Sequence, residues 1–205
     1  MKWKILFVVF LICSSSTVVI GQDQPTIIVI DPGHGGKDTG AVSGQGKTEK
    51  DIVLDIAREM MLWQRQLKFT KLVLFSTRYS DTLIALSDRT RLFHTLKAQI
   101  FLSIHCNHAY NTQAKGIEIY IHPNNEKGKP LASALDKGLS TKLGFISRGI
   151  KAANFQVLRE SKDQVSVLLE LGFLSHKNEA EYLTKKETKR AIALCLLQIL
   201  NSNRG

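Results

Sequence analysis

Three continuous apolar runs, TIIVI (Thr26–Ile30), QIFLSIH (Gln99–His105) and VSVLLEL (Val165–Leu171), constrain the fold of this chain more than any other feature. Runs of this length without polar alternation read as strands buried on both faces, which parallel sheets place between two layers of helices. The intervening segments carry the other period. Glu49–Gln66 repeats Ile52, Val53, Ile56, Met60 and Trp63 at helical spacing, and Pro130–Leu143 is amphipathic. A further helix is expected from a Ser87 cap to about Leu96, and a last one from about Lys185 to Leu200. Shorter strands are expected at Lys71–Thr77 and Gly116–Ile121. Strands alternating with helices predict a single α/β domain of three layers, with a mostly parallel central sheet flanked by helices.

The first 21 residues stand apart from that pattern. Lys2 and Lys4 precede an apolar run from Ile5 to Cys13, followed by small residues to Gly21, which reads as a secretory signal and is too short for a membrane span. Ile12 before Cys13 argues against a lipid-modified cysteine. The expectation is an exported protein, periplasmic or extracellular, without stable membrane insertion after signal cleavage. A short leader at 22–25 would precede a domain at 26–202. Cys106 and Cys195 are then the remaining cysteines, too far apart in sequence for a disulfide framework. Without Lys2 and Lys4, 26 of the 28 basic residues remain against 18 acidic ones. An exported basic protein suits an anionic polymer of the cell envelope. Scattered basic residues without an aromatic-rich stacking module argue against nucleic acid.

In open α/β sheets ligands gather at the carboxyl ends of the strands, so polar residues there carry the chemistry. His34 follows the first strand within DPGHGG, His105 ends QIFLSIH with Asn107 two positions on, and Glu170 lies near the end of VSVLLEL. Glu49 opens the first helix, where the preceding loop can return it over the strand ends. Taken singly, such residues have plain readings, a packed histidine or a helix-dipole contact for Glu49. Glu170 resists one, because a carboxylate among Val167, Leu168, Leu169 and Leu171 must be paired, protonated or functional. Two imidazoles and a carboxylate also match a ligand set of catalytic zinc, which leaves a coordination position for water, and a second carboxylate can shuttle the proton. Asp31 is placed to orient a ligand histidine. Cys106 alternates to the opposite strand face and belongs to the core.

IDPGHGGKDTGA, the Glu49 of KTEKDIVLDIA, FLSIHCN, RGIKAANFQVLRE and VLLELGFLSH together resemble, in order, the motifs of the zinc-dependent N-acetylmuramoyl-L-alanine amidases. The resemblance spans residues 26 to 200. It implies that His34, Glu49 and His105 bind one Zn²⁺, that Glu170 is the catalytic acid/base, and that Asn107 and Arg148 lie at the cleft to orient substrate. The implied substrate is peptidoglycan, cut at the amide joining N-acetylmuramic acid to L-alanine. That reaction serves wall remodelling and daughter-cell separation. Protein activators are left open by it. The chain departs from the family pattern at Phe93, His94 and His176, none of them an implied ligand; His94, His108, His122 and His176 read as surface or outer residues. Some relatives carry a long insertion that lays an acidic residue over the zinc. Here the connection HPNNEKGKP is nine residues, so an open catalytic face is expected. Two other classes remain, a muramyl-peptide-binding module without chemistry and an envelope peptidase with another scissile bond.

Overall fold

A computed structural model describes residues 24–203; the proposed signal segment lies outside the described residues. Six strands form one sheet: β1 (Thr26–Pro32), β2 (Leu72–Ser76), β3 (Ile100–Asn107), β4 (Ile117–Ile121), β5 (Ser147–Ala152) and β6 (Val165–Phe173), in the order β2-β1-β3-β6-β4-β5. β2, β1, β3 and β6 run parallel; β4 lies antiparallel to β6, and β5 follows β4 in direction. The helices are α1 (Glu49–Gln66), α2 (Leu86–Thr95), α3 (Lys129–Leu143), α4 (Gln156–Glu160), α5 (Lys177–Thr184) and α6 (Lys186–Ser202). The three-layer, mostly parallel architecture expected from the apolar runs is present.

Because side chains alternate across a strand, each apolar run serves two cores. Ile28 and Ile30 of β1, Ile100, Leu102, Ile104 and Cys106 of β3, and Val167, Leu169 and Leu171 of β6 join the large cluster that α1, α3 and α6 cover. Cys106 is thus a core residue. Val29, Phe101 and Leu168 point the other way, into a much smaller cluster with Phe93, Val157 and Leu158 from α2 and α4. Phe93, one of the departures noted above, packs edge-on against Phe101 and His94. Two residues further along the same face the strands carry Asp31, Ser103 and Glu170, and β3 continues to His105. The short helices α2 and α4 keep Asp31 and Ser103 buried but leave His105 and Glu170 open to a cavity.

Several elements differ from expectation. α2 starts at Leu86 after an Ala85 N-cap that offers no side-chain bond, so Ser87 lies inside the first turn. The last helix stands where expected, as α6, but an unexpected α5 precedes it, with His176 as N-cap and its ring accepting from the Glu179 amide. β5, whose side chains are largely exposed, has no apolar signature.

Candidate metal centre and its cleft

The turn after β1 brings His34 over the strand ends in a left-handed backbone conformation, φ 58°, which a non-glycine residue adopts only when its surroundings hold it there. Here Asp38 does so: its carboxylate lies 2.9 Å from His34 Nδ1, and its backbone exchanges hydrogen bonds with Gly35. Arg89, buried in α2, donates to the carbonyls of His34 and Pro32. Neighbouring glycines are required by contact. A Cβ on Gly33 would stand 2.2 Å from Cε1 of His105, and one on Gly40 would stand 2.5 Å from Glu49 Oε2 and 2.6 Å from His34 Cδ2.

Glu49 reaches the same point because residues 41–49 fold back on themselves, with the Glu49 amide donating to the Ala41 carbonyl and Val42 bridging Thr48. Its side chain is buried; Oε2 accepts from the Ala41 amide and Oε1 from the Cys106 amide. Glu49 Oε1 also lies 2.9 Å from His105 Nδ1 and 3.1 Å from His34 Nε2. The two imidazoles meet edge-on, centroids 5.0 Å apart. One donor atom from each of His34, Glu49 and His105 falls within 4.8 Å of the others, and this is the one such cluster among the described residues. None of His94, His108, His122 and His176 joins it. Burial alone would raise the Glu49 carboxyl, but hydrogen bonds and charge from the two histidines outweigh it and hold Glu49 far below the usual range. Burial likewise opposes charge on His34, yet Glu49 and Asp38 draw its pKa up to about 9. Two imidazole nitrogens and one anionic oxygen converging on a point are a donor set for a divalent cation, and zinc accepts this set.

Glu170 stands beside this cluster on β6, in register with His105 of β3. No protein group hydrogen-bonds its buried Oε2. Burial, joined by the charges of Glu49 and Glu118 and opposed by the histidines, lifts its pKa to about 7. His34, His105 and Glu170 open on one cavity of about 760 Å³, whose apolar walls include Leu83, Leu86, Phe155 and Val157. The connection after β4 starts at the other end of β6, where Asn125 donates to the Ser166 carbonyl. Its Glu126 pairs with Lys129, so it leaves the cleft clear, as expected from its length.

One assignment changes. Asp31 touches neither histidine of the cluster: its oxygens accept from Arg89, Thr77 and Ser103 at 2.7, 2.7 and 2.8 Å, which ties β1 to β3 and α2. Asp38 is the carboxylate that orients His34. Asn107 and Arg148 do converge, but on Glu118, a residue the sequence reading passed over. Asn107 Nδ2 donates to Glu118 Oε2 at 2.9 Å and Arg148 Nε to Oε1 at 2.7 Å. The alternation Ile117, Ile119, Ile121 marked Glu118 as facing away from the large core; its approach to the site depends on the antiparallel pairing that sets it opposite Glu170.

The sequence pattern of the N-acetylmuramoyl-L-alanine amidases matches residues 28–201. The chain belongs to this family. It is 33% identical over 177 residues to a probable cell wall amidase, LytH, of Staphylococcus saprophyticus, covering 85% of this chain and 57% of that protein. The Staphylococcus aureus LytH is 36% identical over 171 residues, covering 82% and 55%. The chain therefore spans little more than half the length of these curated relatives. Among solved structures, the catalytic domain of the amidase CwlV from Bacillus (Paenibacillus) polymyxa superposes with a TM-score of 0.80 at 32% identity, covering 86% of this chain and 97% of that one. An N-acetylmuramoyl-L-alanine amidase of Clostridium difficile gives 0.81 at 31% identity, covering 87% and 96%.

Proposed function

We propose that this chain is a zinc-dependent amidase that cleaves the bond between N-acetylmuramic acid and L-alanine in peptidoglycan, with residues 26–202 as its catalytic domain. The reading is carried by one juxtaposition: His34 and His105, which close on the buried Glu49, line the same cavity as Glu170, whose Oε2 has no partner. Family membership and the names of its relatives support the substrate class. His34 through Nε2, His105 through Nδ1 and Glu49 would hold the zinc; when bound, the ion supplies Lewis acidity for the scissile carbonyl and for water.

Glu170 takes the proton of the attacking water and delivers it to the departing alanine nitrogen. A carboxyl poised near neutrality suits both transfers. Asp38 fixes His34 so that Nε2 faces the cluster. Asn107 and Arg148, gathered on Glu118 across from Glu170, orient substrate. The protein acts outside the cytoplasm, the segment 1–21 directing export; no helix among the described residues is long and apolar enough to cross a membrane.

Digestion of purified sacculi tests the reading. The expected products are free L-alanine amino termini and intact glycan, lost in Glu170→Gln while zinc stays bound. New amino termini from residues within the stem would make the protein a peptidase. Binding of muropeptides without any product would make it a binding module.

A further inference from the structure

Glu118 is surrounded in a way that burial does not require. Its side chain is buried, and a buried carboxylate needs a cation and hydrogen bonds to its remaining lone pairs. Glu118 gathers two cations. Oε1 accepts from Arg148 Nε at 2.7 Å and Lys151 Nζ at 2.6 Å, and Oε2 from Asn107 Nδ2 at 2.9 Å and Tyr120 Oη at 2.6 Å. The array has a surplus positive charge, and two cations sharing one oxygen repel each other. Both side chains remain more than a third exposed, at 39% and 37%.

Aromatic rings fix where the two cations stand. The Arg148 guanidinium lies 5.1 Å from the Phe173 ring centre, and Lys151 Nζ lies 5.9 Å from that of Tyr120. Tyr120 packs edge-on against Phe155, which lines the cleft. Glu118 itself is the cross-strand partner of Glu170, and directly opposed residues of an antiparallel pair share one face of the sheet. The cationic pair therefore flanks the proposed proton-transfer residue on the side away from the metal cluster.

We propose that Glu118 is a positioning residue that holds Arg148 and Lys151 as a paired cationic rim, and that this rim takes a carboxylate of the peptide part of the substrate. This rests on the cleft taking a muramyl peptide. An incoming carboxylate supplies the second anion that two neighbouring cations lack, and Arg148, bound to Glu118 through Nε and to the Lys115 carbonyl through Nη1 at 3.4 Å, keeps Nη2 for it.

Titration calorimetry on the zinc-loaded protein tests this with a synthetic L-alanine-led stem peptide bearing free carboxylates and with the same peptide carrying carboxamides. Neither is hydrolysed, so binding is read independently of turnover. The carboxylate peptide should bind roughly fivefold tighter, a partly exposed charge-assisted contact, and the preference should shrink as salt is raised. Lys151→Met, on the exposed edge strand, should remove most of the preference, and Glu118→Gln should remove the rest while affinity for the carboxamide peptide holds. Equal binding of the two peptides to the wild type, no binding of either, or equal loss for both in Lys151→Met would overturn the rim. Failure of the sacculus digestion would instead overturn the assigned reaction and leave this preference readable.

Discussion

On the face of the sheet covered by α1, α3 and α6, the strands present Ile28, Ile30, Leu102, Ile104, Val167 and Leu169, all buried and apolar. The alternate residues of the same strands present Asp31, Ser103, His105 and Glu170 to a face closed only by the short α2 and α4. The first face supplies cohesion by area removed from water. The second holds two imidazoles drawn onto one carboxylate, and a second carboxylate whose Oε2 is buried without a partner. Stability and chemistry are thus divided by the two-residue period of the strand, and the division can be broken from either side.

Glu170→Gln should produce the largest effect. Amide hydrolysis by the zinc-loaded protein should fall by roughly 10²- to 10⁴-fold. In metal-free protein the same change should stabilise the fold. The folded-state pKa of about 7 lies above the ordinary 4.5, so the folded state binds this proton more tightly than the unfolded state does. Glu170's contribution is therefore fully present below the ordinary value and is lost as pH rises through 7. Urea titrations should show the variant's advantage absent near pH 4 and on the order of 3 kcal/mol by about pH 8. An advantage that does not grow with pH contradicts the buried, unpartnered carboxyl.

Leu102→Ala, on the packed face, should do the reverse. Chemical denaturation should report a loss of about 2–5 kcal/mol, with zinc stoichiometry and turnover per folded molecule unchanged. A change in metal affinity would show that the two faces are coupled. Asp38→Ala sharpens the comparison at the exposed edge of the second face. Zinc affinity measured by chelator competition should drop roughly 10- to 100-fold, with little change in unfolding free energy because Asp38 is half exposed.

What the sequence discloses follows from the same division. β1, β3 and β6 were legible because both of their faces are buried along most of their length. His105 and Glu170 were legible because they end or interrupt such segments, where a polar side chain needs a reason; His34 and Glu49, in the turn and helix beyond the strand ends, have plain readings singly and became legible through the resemblance to the amidase motifs. β5 was not, since an edge strand of sequence SRGIKA with exposed side chains has no apolar signature. Glu118 was hidden for a different reason: its meaning depends on β4 running antiparallel to β6, which no local pattern encodes. Asp38 holds the role expected of Asp31, since both lie within a few residues of His34. Only the left-handed turn, with the Gly35–Asp38 bridge, decides which carboxylate reaches the ring.

Anomalous diffraction at the zinc edge from crystals of the zinc-loaded protein tests the centre of this account. It should place one ion at roughly 2.0–2.2 Å from His34 Nε2, His105 Nδ1 and a Glu49 oxygen, with Glu170 outside the coordination sphere. Zinc bound at another site, or held directly by Glu170, would contradict it.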